Sequence, residues 1–72
     1  IDIYGKTASG KIVVGTTKYT NTKVKKSELT KLQQTCKNAN IQADIFVIVA
    51  KKGFSSELKS LKGDVVKLYT LK

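Results

Sequence analysis

Histidine, arginine and methionine are absent from this chain of 72 residues, and cysteine occurs once. Without histidine and with Cys36 alone, a Cys/His zinc cluster within the chain is excluded. A Cys–His or Ser–His catalytic pair is excluded for the same reason. A single cysteine cannot close an internal disulfide, which fits a reducing, cytoplasmic compartment. No apolar run approaches the roughly 20 residues of a membrane helix, and no signal-peptide pattern is present. With no Met, the chain is expected to be a fragment or the C-terminal domain of a longer protein. The opening "IDIYG" already reads as mid-strand, which carries the same expectation.

What is abundant is lysine. Fourteen lysines face five acids, a formal charge of +9. Such an excess favours polyanionic partners, nucleic acid first and an acidic protein or membrane surface second. The missing arginine refines this. Lysine is a flexible point charge suited to phosphate, whereas arginine supplies the planar fork that reads guanine. Salt-sensitive binding with little sequence preference is the expectation. A solubilising coat is the plainer account of the same charge.

One domain of this size buries only about 60% of the surface its unfolded chain exposes, so one modest core is expected. Residues 1–6 alternate apolar and polar, "TASGK" offers a turn at Gly10, and Ile12 opens a second strand, so residues 1 to about 18 read as a hairpin. "TNTKVKK" is a polar connector. Ser27 is expected to cap a helix running to about Asn38, with Glu28 favourably placed against its dipole. Leu29, Leu32, Cys36 and Ala39 make its apolar stripe, while Lys26, Lys31 and Lys37 lie off it. Cys36 on that stripe reads as an inert core residue.

"ADIFVIVA", residues 43–50, is the most apolar segment and reads as a central strand covered on both faces. "KKGF" turns the chain. Ser55 or Ser56 then caps a short helix through Leu58 and Leu61, with Gly63 as its left-handed stop. "DVVKLYTL" alternates again and reads as a last strand nearer an edge. The order β-β-α-β-α-β implies a small mixed α/β sheet, an antiparallel hairpin followed by parallel crossovers.

A hairpin turning near residues 9 and 10 pairs positions whose numbers sum to about 19 or 20. That sets Asp2 near Thr17 and Lys18. An acid and a lysine on adjoining strand ends have a chemical use: a carboxylate holds Mg²⁺ against a phosphate oxygen while the lysine steadies developing charge. "ID", a turn, "GTTKY" (Gly15 to Tyr19), a helix, "DIFVIVAKKGF" (Asp44 to Phe54) and "VVKLYTL" together resemble the restriction-endonuclease-like superfamily. Its signature is an Asp followed by (Asp/Glu)-x-Lys. The pattern is most similar to the nuclease-like C-terminal domain of a group of prokaryotic AAA-type ATPases, over nearly all 72 residues.

The resemblance implies a nuclease-like core lacking its N-terminal part, Mg²⁺ as cofactor if active, and Asp2 and Lys18 as catalytic residues. Thr16, however, stands where the family carries its second acid, and a neutral hydroxyl is no substitute for an anionic ligand. In this superfamily that acid can migrate to the following helix, where Glu28 stands, so Asp2 and Glu28 are the candidate metal ligands. Glu28 is explained equally by the helix dipole.

Three readings follow. The first is a nucleic-acid-binding domain, DNA before RNA, with an impaired metal site and phosphate contacts from Lys18, Lys23, Lys25, Lys26, Lys51 and Lys52. Tyr19 would offer a ring for stacking on a base. The second is an active Mg²⁺-dependent endonuclease using Asp2, Lys18 and Glu28. The third is a non-enzymatic interaction domain of a larger ATPase or defence protein. Plainer roles are available for each residue: an exposed strand acid for Asp2, an edge-strand guard for Lys18, a rim aromatic for Tyr19.

Overall fold

A computed structural model describes residues 2–71. The hairpin pairs β1 (Ile3–Lys6) with β2 (Ile12–Lys18) antiparallel. Helix α1 (Lys26–Asn38) leads to β3 (Ile45–Ala50), and α2 (Ser56–Ser60) leads to β4 (Val66–Thr70). The sheet order is β1-β2-β3-β4, with β2, β3 and β4 mutually parallel. The expected mixed sheet and element order are those observed, and β4 is an edge strand as anticipated.

The hairpin turn is built by hydrogen bonds. Gly10 takes φ 87°, its amide donates to the Thr7 carbonyl, and the Lys11 amide donates to Thr7 Oγ1. The register differs from expectation. Ile3 pairs with Gly15 and Tyr4 with Val14, so paired numbers sum to 18. Continued by one residue, this sets Asp2 opposite Thr16, and the Asp2 amide donates to the Gly15 carbonyl at 3.0 Å. Because directly paired residues share a face, Asp2, Thr16 and Lys18 fall on the same side of the sheet.

Gly15 is required by close approach. A Cβ there would lie 2.7 Å from the Val47 carbonyl oxygen and 3.2 Å from Ile3 Cβ. Any side chain would push β2, which carries Lys18, away from β3 and crowd Ile3 of β1.

Both helices cover one face. Leu29, Leu32 and Cys36 of α1 and Leu58 of α2 join Val14, Ile48, Ala50, Val66 and Leu68 in a single core. Ile48, Leu58 and Val14 are fully enclosed, each worth about 1.5–3 kcal/mol in transfer from water. The opposite face, with Val13, Val47, Val49, Lys67 and Tyr69, stays partly open. The expectation that β3 is covered on both faces is therefore corrected. Its unbroken apolar run reflects one buried face and one uncovered apolar face.

Three local expectations also change. Ser27 is not the cap of α1: Lys25 holds the N-cap position without a side-chain bond, and Ser27 lies inside the first turn. Ala39 is exposed at the C-cap, where the helix gives way to Asn40 at φ 57°. Gly63 is not a left-handed stop, because α2 ends earlier, with Leu61 as its C-cap. Instead the Gly63 amide donates to the Val66 carbonyl. Ser55, by contrast, caps α2 as anticipated, its hydroxyl accepting from the Leu58 amide at 3.3 Å. Among the described residues, no helix is long and apolar enough to cross a membrane.

Candidate functional site

The carboxyl ends of the parallel strands gather most of the candidate residues. Asp2 lies just before β1, exposed to solvent. Its Oδ2 accepts from the Thr17 amide at 3.1 Å and from Thr16 Oγ1 at 3.2 Å. The Thr17 amide, then the Thr16 hydroxyl, hold the carboxyl below its ordinary value of 3.8, and the nearby Lys18 charge acts the same way.

Lys18 ends β2, and its ammonium sits 3.3 Å from Glu28 Oε2. Glu28 Oε1 is 3.6 Å from the Lys31 ammonium, one turn further along α1. A shallow pocket of about 180 Å³ opens there, lined by Thr16, Lys18, Glu28, Lys31, Leu32 and Thr35. The structure thus brings Thr16, Lys18 and Glu28 to one corner, with Asp2 bonded to Thr16 at its margin. Sequence reasoning placed Lys31 only as a solvated residue. It is largely exposed, yet it joins Glu28 through the i,i+3 spacing that was available as a signal.

The remaining candidates, apart from Lys26 at the start of α1, stand on two connectors that are zipped together. Val24 and Phe54 form an isolated parallel bridge, with the Val24 amide donating to the Gly53 carbonyl and the Ser55 amide to the Val24 carbonyl. Gly53 makes the turn possible at φ 97°. Val24 and Phe54 are both buried, so this zipper is also an extension of the core. The Lys51 amide donates to the Lys18 carbonyl, and the Lys51 ammonium reaches Asn21 Oδ1 at 3.4 Å. Asn21 carried no signal in the sequence.

The zipper lifts Lys23, Lys25, Lys26, Lys51 and Lys52 to the same end as Lys18, all but Lys18 exposed. Tyr19, just past β2, is 70% exposed, so its ring is free to stack. A second pocket of about 200 Å³ lies between Lys18, Lys23, Lys25 and Glu28.

The donor set at this corner does not fit Mg²⁺. That ion demands near-ideal octahedral oxygen ligation built on carboxylates. Here both Glu28 oxygens face ammonium groups, and Thr16 spends its proton on Asp2. Among the described residues no group of three His, Cys, Asp or Glu converges. Chemically the corner is an internally neutralised cluster of two acids and two lysines beside a wider cationic end.

Comparison with known proteins finds no family model, no curated protein and no solved structure that matches this chain.

Proposed function

We propose that this chain binds nucleic acid, DNA in the first instance, through lysine–phosphate contacts at the carboxyl end of its sheet, and that its nuclease-like corner does not cleave. One observation carries the reading. The Val24–Phe54 zipper holds two lysine-bearing connectors side by side next to Lys18, an arrangement that serves a polyanion better than isolated charges do. Lysine without arginine supplies point charges, so phosphate is contacted and bases are not read. Ligand sites of open α/β sheets characteristically lie beyond the carboxyl ends of the parallel strands, which supports the location by analogy.

The test is fluorescence anisotropy with a labelled duplex across a salt series. With about six phosphate contacts, affinity falls by on the order of 10³ between about 50 and 200 mM salt, and unrelated duplex sequences bind alike. Affinity that ignores ionic strength refutes the reading.

A second reading is an active Mg²⁺-dependent endonuclease using Asp2, Lys18 and Glu28. The nearness of Glu28 to Lys18 speaks for it, and the pairing of both Glu28 oxygens with lysines speaks against it. Plasmid nicking that requires Mg²⁺ and disappears in Asp2→Ala establishes this second reading over the first.

A further inference from the structure

Glu28 is the one acid among the described residues bonded to two ammonium groups. Lys18 reaches it from the sheet and Lys31 from the helix, and its side chain is only 25% exposed against 74% for Lys31. A carboxylate oxygen and a phosphate oxygen compete for the same N–H donors, since both form charge-assisted bonds of similar length. Partly exposed ion pairs of this kind are weak enough for a polyanion to displace.

From these contacts we propose that Glu28 is an internal competitor for phosphate. It occupies Lys18 and Lys31 in the free protein and so sets the affinity of the lysine end for nucleic acid. The inference rests on the phosphate-binding reading and adds to it the residue that restrains binding. On arrival of a nucleic-acid strand, the Glu28 side chain rotates away and its two lysines turn to phosphate. No covalent step is involved. The restraint is local: Glu57, in the first turn of α2 at the same end, forms no ion pair among the described residues.

That contrast supplies the control. Glu28→Gln and Glu57→Gln change the net charge equally and keep the helix-forming side-chain length. With a labelled duplex of about 20 base pairs at about 0.1 M salt, Glu28→Gln is expected to tighten binding about five- to tenfold and to steepen the salt slope by one to two contacts. Glu57→Gln is expected to tighten it less than about twofold through general charge alone. Adding Lys18→Ala to Glu28→Gln removes most of the gain.

Equal effects of the two glutamines, or none from Glu28→Gln while the parent binds, overturn the inference and leave phosphate binding standing. Failure of both the parent and Glu28→Gln to bind at about 50 mM salt overturns both. Binding by Glu28→Gln alone supports the competitor role in its strongest form. The unmutated chain provides a readout that needs no variant. During duplex titration the Glu28 side-chain carboxyl carbon signal moves with saturation while that of Glu57 does not. A Glu28 signal that stays still counts against the proposal.

Discussion

The two ends of the sheet carry nearly the same net charge and differ in how it is arranged. Among the described residues the carboxyl end holds Lys18, Lys23, Lys25, Lys26, Lys31, Lys51 and Lys52 with Asp2, Glu28 and Glu57, a net +4; the amino end holds Lys6, Lys11, Lys37, Lys59 and Lys62 with Asp44 and Asp64, a net +3. At the amino end the lysines are distributed over the hairpin turn and the last turns of the two helices, and Asp44 is spent on the Ile12 amide at 2.8 Å. At the carboxyl end two connectors are bonded side by side, and one acid holds two of the nearby ammonium groups. The difference teaches that a similar total charge can be arranged in different ways, and the proposed phosphate contacts are assigned to the carboxyl end on that arrangement.

The severest way to break this contrast is Phe54→Ala. Phe54 is 4% exposed and anchors the zipper. Losing a buried aromatic side chain costs about 3–5 kcal/mol. That is a large share of what a domain this small possesses, so the urea midpoint is expected to fall steeply and duplex binding to go with it. Retained stability shows that the connectors are held by something other than this contact.

A milder intervention compares the ends directly. Replacing Lys25, Lys26 and Lys51 by Gln together is expected to weaken duplex binding about 10²-fold at about 0.1 M salt. The matched triple at Lys6, Lys11 and Lys62 is expected to weaken it less than about threefold. Equal losses erase the distinction between the ends and reduce binding to overall charge.

The smallest effect concerns Asp2. Thr16→Val removes the weaker of its two hydrogen bonds, so its titration midpoint, followed by carbon NMR, moves part of the way back toward 3.8 while the Thr17 amide still holds it down. A folded-state value below the unfolded one means that ionised Asp2 contributes stability above about 3.8, lost as pH falls through the folded value. Asp2→Asn therefore lowers the melting temperature slightly at pH 5–7, and the gap to the parent closes in stronger acid. A gap that persists there assigns Asp2 a role other than the charge on its carboxylate.

Several elements were legible because local chemistry decides them. The apolar stripe of Leu29, Leu32 and Cys36, the Ser55 cap and the Gly10 turn follow from periodicity and side-chain donors within a few residues. Ser27, Ala39 and Gly63 lie at helix ends, which depend on where the adjoining chain is pulled. The Val24–Phe54 bridge precedes the start of α1, the Asn40 turn follows its end, and the Gly63 amide is bonded to the Val66 carbonyl beyond α2. The site was legible in its members but not in its bonding. A hairpin register one residue away from that observed places Asp2 on the opposite face from Lys18, because strand side chains alternate. Nothing in local spacing revealed that Lys18 reaches Glu28.

By itself the order of amino acids determined a cationic, arginine-free chain, excluded zinc and histidine chemistry within it, and set the succession of strands and helices. Those properties reside in composition and short-range periodicity. Only the folded sheet decided which lysines stand together, which acid is paired with two of them and which face Asp2 shares. These depend on register and on contacts between residues far apart in sequence, and a shift of one position in pairing exchanges every side chain between the two faces.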